Sequence, residues 1–290
     1  MTIMHPSTLE PAIEHWFAQG TAAMGDKDAL AAFLQLREAL EAGTLRSAEP
    51  DTTAPTGWRV NAWVKRGILL GFRLGALESM SGRGRSGDIL SFVDKATYPI
   101  RHFTPEDGIR IVPGGSSVRS GAYLGRGIVM MPPAYVNAGA FVDEGTMIDS
   151  HALVGSCAQI GKRVHLSAAA QIGGVLEPVN ASPVIIEDDA LIGGNTGVYE
   201  VTIIRARAVL AAGVILTRGT PVYDLPNNTI LKASAETPLI IPAGAVVVAG
   251  SRAIQREPGR ALGLSVYTPI IVKYRDEKTD LSTTLEDLLR

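Results

Sequence analysis

The chain has 290 residues, of which 46% are hydrophobic, 19% charged and only 6% aromatic. Its formal net charge of −2 provides no positive field for attracting nucleic acid, and its single cysteine, Cys157, excludes an internal disulfide. The five histidines do not follow a zinc-ligand spacing, and neither an apolar run of roughly 20 residues nor a secretion signal is evident, so we predict a cytoplasmic protein without a metal.

The first element in chain order is a helix predicted over residues 26–42. It has an aspartate at its start as an N-cap, one apolar stripe, and Gly43 as a stop signal. A second apolar segment covers residues 58–74, and a loop rich in Gly, Ser and Arg follows at residues 81–87. We therefore expect a small helical N-terminal domain over residues 1–108.

A six-residue repeat dominates the middle of the chain. Every sixth residue from Val112 to Ile172 is aliphatic, and the pattern resumes from Ile186 to Val222 after a break. A period of six fits neither an α-helix of 3.6 residues per turn nor a strand in which every second residue is apolar. It predicts a coil with three flat sides, in which each hexad forms one side and points its aliphatic residue inward.

The coils predict the architecture of the whole molecule. The 18 hexads correspond to about six coils, whose strands would stack as parallel sheets about 4.8 Å apart. The pattern resembles the left-handed parallel β-helix of hexapeptide-repeat proteins, and the handedness follows from that resemblance alone. We predict a mainly β fold with this β-helix over residues 109–250. A C-terminal extension over residues 251–290 would cover the open end, with a strand at 270–274 and a terminal helix that begins with a Thr-x-x-Glu capping box.

Five longer segments carry a more specific signal. They are WVKRGILLGFR at 63–73, GIRIVP at 108–113, MPPAYVNAGAFVDEGTMID at 131–149, VGSCAQIGK at 154–162 and GGVLEP at 173–178. Together they resemble the tetrahydrodipicolinate N-succinyltransferase family from about Trp63 to Val248, with a weaker helical match before that. The resemblance implies a homotrimeric enzyme that transfers succinyl from succinyl-CoA to the amine of ring-opened tetrahydrodipicolinate, an amino-oxopimelate on the diaminopimelate route to lysine. It also implies that the acceptor and the pantetheine arm meet in a cleft between subunits.

Two residues are assigned to the acceptor site through this resemblance. Arg110 matches the family arginine that holds the acceptor, and a guanidinium suits a dicarboxylate because it can bind a carboxylate with two parallel hydrogen bonds. Asp149 matches the acidic residue beside the acceptor amine, where it would bind the ammonium and accept its proton. Plainer interpretations stay open: a surface salt bridge for Arg110, and for Asp149 a corner residue that bonds its own turn, as Asp143 would at the equivalent repeat position.

One position departs from the family. Many relatives carry a glutamate where this chain has Gly197, so a second carboxylate is missing from its usual place. Glu200 is the second candidate catalytic residue, because it could compensate, although it matches a different family position and is also compatible with a solvated side chain. Histidine is the general base in several hexapeptide acetyltransferases, but His151 lies where the family is variable and His165 has no assigned role there.

The CoA channel is predicted along the late coils. The pyrophosphate and the pantetheine arm of CoA need backbone N–H groups from turns of small residues, together with a few cations. Ordinary corner glycines and solvated cations are the alternative interpretation for each candidate. By family analogy the candidate cofactor-binding residues are Gly194, Ala211, Ala212, Gly219, Lys232, Ser251 and Arg252.

Three functions stay open at this point. The first is the N-succinyltransferase activity. The second is acetyl transfer from acetyl-CoA to the same or a related acceptor, for example in making a toxin derived from the lysine pathway. The third is a structural β-helix without catalysis. The partners expected in the first two cases are a small dicarboxylate and an acyl-CoA, with neither nucleic acid nor a membrane.

Overall fold

A computed structural model describes residues 6–80, 92–234 and 237–276 of the chain. The predicted loop at 81–87 and the predicted capping box near the C-terminus lie outside these described residues. Within them the chain forms three α-helices followed by stacked short strands. None of the described helices is long and apolar enough to cross a membrane.

The helices lie at the N-terminal end of the chain. They are α1 (Pro6–Ala18), α2 (Lys27–Glu41) and α3 (Ala62–Leu74). Helix α2 confirms the predicted helix, and Asp26 caps it by accepting hydrogen bonds from two backbone N–H groups of the first turn at 2.8 and 3.0 Å. The apolar segment predicted at 58–74 divides into a short strand and α3, with Asn61 at the helix start.

Helix α3 approaches α2 closely enough to exclude side chains at two of its positions. Gly67 lies against Leu36 and Gly71 against Phe33, and a methyl group added to either glycine would collide with that neighbour. Ile13 of α1 is fully buried in the same contact. The resulting apolar cluster is separate from the interior of the β-helix.

Short strands follow one another through the rest of the chain. Four of them pair as two antiparallel ribbons: β1 (Ala48–Pro50) with β2 (Trp58–Val60), and β3 (Leu77–Ser79) with β4 (Val93–Lys95). The hexapeptide region then forms one strand per hexad: β5 (Arg110–Ile111), β6 (Ser117–Val118), β7 (Tyr123–Leu124), β8 (Val129–Met130), β9 (Tyr135–Val136), β10 (Phe141–Val142), β11 (Met147–Ile148), β12 (Leu153–Val154), β13 (Gln159–Ile160), β14 (His165–Leu166), β15 (Gln171–Ile172), β16 (Ile185–Ile186), β17 (Leu191–Ile192), β18 (Gly197–Val198), β19 (Ile203–Ile204), β20 (Val209–Leu210) and β21 (Ile215–Leu216).

These strands stack in parallel as the three faces of a prism, which confirms the predicted β-helix. In an uninterrupted coil each strand pairs with the strand 18 residues later, as Phe141 does with Gln159. The first face starts with β5 and contains β8, β11, β14, β17 and β20, the second runs from β6 to β21, and the third starts with β7. We call the turns that follow the strands of these faces the first, second and third corner.

The interior of the prism is filled by the aliphatic residues of the hexads. From Val118 to Val222 none of them is more than 6% exposed, and the small or β-branched residues two positions earlier, such as Ala122 and Thr146, are buried beside them. The last hexad is a correction to the sequence prediction. Val222 is buried, but it belongs to a strand that leaves the coil and pairs outside it.

The C-terminal strands close the prism at its last coil. They are β22 (Val222–Asp224), β23 (Thr229–Leu231), β24 (Ile240–Ile241), β25 (Ala245–Val248), β26 (Ser251–Ala253), β27 (Ser265–Tyr267) and β28 (Ile270–Tyr274). Strand β28 lies where a strand was predicted, and it pairs with β25 and β22 to extend the first face. The Tyr267 hydroxyl accepts a hydrogen bond of 2.6 Å from the N–H of Ile215 on β21, the edge strand of the second face. The domain boundaries at 108 and 250 stay predictions.

The N-terminal segment covers the third face of the prism. The guanidinium carbon of Arg46 lies 3.6 Å from the centre of the Phe141 ring, and its Nε donates to Gln159 Oε1 at 2.9 Å. Burial lowers the pKa of this guanidinium. The Trp58 indole N–H donates to Glu187 Oε1 at 3.0 Å. The outer surface of this face is therefore partly covered, whereas the first face and the later strands of the second face lie away from these contacts.

Cys157 is buried outside the prism interior. It lies at the second corner with a left-handed φ of 68°, and its side chain packs into the helical cluster. Corner side chains point away from the coil axis, so the helices rather than the other strands surround this thiol. Burial raises its pKa to about 11.

The break in the repeat, residues 173–183, forms a loop that is held by a buried lysine of α3. Lys65 is 0% exposed, and its Nζ donates to the carbonyl oxygens of Ala181 at 2.8 Å and Pro178 at 3.4 Å. Burial lowers the pKa of its ammonium group. The helical layer therefore anchors the one long loop between β15 and β16.

We expect Lys65→Met to destabilise the fold by about 1–3 kcal/mol, because two carbonyl groups of the loop would lose their buried donor while the side-chain volume is kept. Chemical denaturation measures this difference. Lys162→Met is the matched control, since the Lys162–Glu144 pair at 2.7 Å is solvent-exposed and should contribute less than about 1 kcal/mol. Equal stability of the two variants would contradict the anchoring role.

Candidate active site

Asp149 lies at the first corner, directly after β11. Its backbone N–H donates to the Leu166 carbonyl of the next coil at 2.9 Å, which fixes the corner on the prism. Its Oδ1 accepts a 2.6 Å hydrogen bond from the N–H of Ser150. Asp143 makes the same contact with Glu144 at 2.8 Å, so the turn-bonding role is present at both aspartates. The half-buried Asp149 side chain also borders the open first and second faces, whereas Asp143 lines a cavity under the N-terminal segment.

Arg110 starts the same face two coils earlier. It is exposed on β5 in register with Val129 and hence with Met147, two residues before Asp149. Two strand spacings, about 10 Å, separate these levels of the face. Among the described residues Arg110 makes neither a salt bridge nor a side-chain hydrogen bond, so the surface salt bridge considered for it is not formed. Its guanidinium is available to an anion.

A stripe of small residues continues from Asp149 along the first corner. The pairing of Ile148, Leu166, Ile192 and Leu210 stacks the residues that follow them, so the corner repeats from coil to coil. It extends over three strand spacings, about 14 Å, without a large side chain. The stripe consists of Ser167, Ala168, Gly193, Gly194, Ala211 and Ala212.

Ser251 and Arg252 lie at the far end of this stripe. Strand β25 pairs with β20 next to the stripe, and the chain turns from β25 at the same corner into β26. Both residues are exposed, and the Arg252 guanidinium lies 6.0 Å from the centre of the Tyr223 ring. Lys232 is also exposed, but it follows β23, which β28 and β22 separate from β25.

The structure corrects two sequence-based groupings. Gly219 follows β21 and therefore lies at the second corner, away from the stripe that contains Gly194, because the coil carries successive hexads to different faces. Glu200 also lies at the second corner, whereas Asp149 lies at the first. The two candidate carboxylates are thus on opposite edges of the second face of a single chain.

The second corner borders a cavity of about 610 Å³. The loop 173–183 forms one side of it, and the corners after β18 and β21 form the other. Glu200 is exposed at its rim, and its Oε2 accepts a 3.1 Å hydrogen bond from the N–H of Arg218, so this carboxylate holds the neighbouring corner in place. Sequence reasoning missed most of these residues, since the repeat marks only interior positions. The lining residues are Gly173, Gly174, Val175, Glu177, Pro178, Ala181, Tyr199, Glu200, Val201, Thr217 and Arg218.

His151 and His165 both lie on the side of the prism that contains the first face. His151 is exposed at the first corner with a left-handed φ of 63°, and His165 lies on the outer surface of the first face between Met147 and Leu191. Among the described residues, three or more His, Cys, Asp or Glu side chains are nowhere close enough together to hold a metal ion.

Comparison with known proteins decides the family. A model described as the N-terminal part of tetrahydrodipicolinate N-succinyltransferase matches residues 8–74, and one described as the hexapeptide repeat of succinyl-transferase matches residues 183–218. A 2,3,4,5-tetrahydropyridine-2,6-dicarboxylate N-succinyltransferase from Albidiferax ferrireducens is 43% identical over 93% of this chain and 93% of its own length. The chain belongs to the tetrahydrodipicolinate N-succinyltransferase family.

Other members of the family match over similar lengths. A relative with the same name from Cereibacter sphaeroides strain ATCC 17025 is 44% identical over 99% of this chain and all of its own length. One from Azoarcus sp. strain BH72 is 45% identical over 87% of this chain and 86% of its own. The resemblance found from sequence motifs is therefore confirmed, and it extends further toward the N-terminus than the weak helical match suggested. The hexapeptide match is consistent with the left-handed winding that was predicted.

Proposed function

We propose that this chain is the N-succinyltransferase of its family, transferring succinyl from succinyl-CoA to the amine of ring-opened tetrahydrodipicolinate. The observation that carries the proposal is the 43% to 45% identity to relatives of that name, which continues over nearly the whole chain. The cytoplasmic location predicted from the sequence belongs to this proposal, since acyl-CoA thioesters are cytoplasmic metabolites. So do the assignments of individual residues and the expectation that no metal is required.

Arg110 and Asp149 support the acceptor part of the proposal. An unpaired guanidinium at one level of the first face can bind one carboxylate of a seven-carbon dicarboxylate, while a carboxylate about 10 Å further along the prism attracts the amine. Asp149 then accepts the proton that the nitrogen releases as it attacks the thioester carbonyl carbon. The C–N bond forms, the C–S bond breaks, and the proton leaves on the CoA thiolate.

The stripe at the first corner supports the donor part of the proposal. A pantetheine arm is narrow and flexible, so it can lie along a strip of small residues whose backbone N–H groups are close to the surface. Gly194, Ala211 and Ala212 belong to this strip, which begins at Asp149 and therefore leads the thioester to the amine. Ser251 and Arg252 at its far end suit the CoA phosphates. Gly219 and Lys232 lie outside this path within one chain, so their assignment to the donor stays a prediction.

A homotrimer would reunite the two corners that one chain keeps apart. A cyclic trimer uses two different surface patches of each subunit, so it can place the first corner of one prism against the second corner of the next. The exposed second face between these corners would then point to the threefold axis. In that arrangement Asp149 of each subunit faces the 610 Å³ cavity of its neighbour.

The donor prediction separates the alternatives. With ring-opened tetrahydrodipicolinate as acceptor, we expect succinyl-CoA to give a kcat/KM at least tenfold above that of acetyl-CoA, because the succinyl carboxylate can pair with cleft cations. Release of CoA thiol measures both reactions. A preference for acetyl-CoA would indicate the acetyltransferase alternative, and thiol release with neither donor would indicate a structural β-helix.

A second prediction assigns separate roles to three residues. Asp149→Asn keeps the shape but removes the proton acceptor, so kcat should fall about 10²-fold or more. Arg110→Lys keeps the charge but loses the bidentate geometry, so the KM of the acceptor should rise more than kcat falls. Glu200→Gln should change kcat less than tenfold, because its carboxylate contacts the Arg218 backbone. Wild-type turnover of Asp149→Asn would remove this residue from the mechanism, with Glu200 and His151 the next to test.

The assembly prediction follows from the shared cleft. Light scattering should give about three times the chain mass of 30.6 kDa. Activity should disappear on dilution or mild denaturation to monomers, because each site takes one corner from each of two chains. An active monomer would refute the cleft between subunits while leaving the fold and family unaffected.

A further inference from the structure

The second face contains an aromatic ring that is seated on two glycines. The Tyr199 ring covers Gly197 on β18, and a methyl group added to Gly197 would collide with that ring. A methyl group on Gly173 in the preceding coil would lie 3.0 Å from the Tyr199 Cδ1 atom. Glycine at position 197 is therefore needed for the ring to lie against the backbone, and glycine at position 173 leaves it a close fit.

The corner after this tyrosine adopts an uncommon backbone conformation. Glu200 and Val201 have left-handed φ angles of 47° and 54°, although comparable second corners use this conformation at a single residue such as Gly121 or Gly139. A β-branched residue such as Val201 rarely adopts it. Thr202 Oγ1 donates to the Tyr199 carbonyl at 2.6 Å and steadies the turn. The turn that follows Tyr199 thus keeps an unfavourable backbone conformation at Glu200 and Val201, and the Thr202 hydrogen bond stabilises it.

The hydroxyl group of this ring has no protein partner among the described residues. In the part of the chain that the structure describes, the Tyr199 hydroxyl makes no hydrogen bond, while other tyrosines such as Tyr98, Tyr267 and Tyr274 have partners for theirs. The side chain lines the 610 Å³ cavity at the second corner beside Thr217 and Arg218. A phenol there is an uncharged donor on a fixed support.

We propose that Tyr199 is a specificity-determining residue whose phenol O–H donates a hydrogen bond to a carboxylate oxygen of a substrate. The proposal rests on the proposed function for the identity of the substrates, of which both the acceptor and the succinyl group carry carboxylates. A neutral donor binds a carboxylate without a counter-charge, and its immobilised ring lets it select ligands by the position of that carboxylate.

Tyr199→Phe removes the hydroxyl and keeps the ring on its two glycines. We expect the KM of the carboxylate-bearing partner to rise about tenfold or more while kcat changes less than threefold, as a lost hydrogen bond to a charged group predicts. If the partner is the acceptor, its KM rises with either donor. If it is the succinyl group, the KM of succinyl-CoA rises and that of acetyl-CoA does not. Changes below twofold in every arm would overturn the proposal.

Two further variants separate this role from a general disturbance. Tyr123→Phe is the matched control, because Tyr123 stacks on Phe141 at the covered third face with ring centres 4.5 Å apart. The KM values of the Tyr123→Phe variant should equal those of the wild type. Gly197→Ala should displace the ring and raise the same KM as Tyr199→Phe, with no further rise in the double variant. Full additivity of the two changes would contradict a shared hydrogen bond.

Binding measurements distinguish failure of this proposal from failure of the proposed function. Calorimetry of pimelate, a dicarboxylate that lacks the amine, and of succinyl-CoA requires no turnover. If the wild type does not transfer succinyl but Tyr199→Phe weakens one of these ligands about tenfold, the function is wrong and the carboxylate subsite stands. Equal affinity of wild type and variant for both ligands would overturn the subsite whether or not the enzyme is active.

Discussion

The narrow triangular interior of the prism is the constraint on which the rest of the structure depends. It has room for one aliphatic side chain per hexad and a small or β-branched residue beside it, as Ile148 and Thr146 show. Filling it in this way forces coils of 18 residues, and parallel pairing then stacks equivalent positions about 4.8 Å apart. Corners therefore become straight edges, and a site can be built from residues that are 18 apart in sequence but adjacent in space.

The N-terminal segment determines which faces of the prism are exposed. Arg46 and Trp58 seal the third face through contacts with Phe141 and Glu187, which leaves the first and second faces open. Lys65 reaches from α3 to the carbonyl groups of the only long loop between coil strands in the described residues. That loop forms one wall of the 610 Å³ cavity at the second corner. The N-terminal helices therefore shape the substrate side of the prism without contributing side chains to its interior.

The separation of Asp149 and Glu200 is the structural reason for proposing a trimer. Within one chain the first face and its corner contain the Arg110 guanidinium, the Asp149 carboxylate and a stripe of small residues, whereas the second corner contains a cavity and the ring of Tyr199. In the proposed trimer, unlike corners of neighbouring subunits would come together and form one site per interface, so the proposed activity would depend on the assembly.

The sequence by itself determined the β-helix, the interior aliphatic residues, helix α2 and the family, because a period of six and family motifs are local signals. It also located Asp149 correctly at a corner after a coil strand. Only the tertiary structure decided which corner each residue occupies. It separated Gly219 from Gly194, and it placed Cys157 in the helical cluster and the Tyr199 ring on Gly197. The physical reason is that the repeat constrains inward side chains alone. Outward side chains are fixed by contacts with other coils and with the helices, which a periodic pattern does not encode.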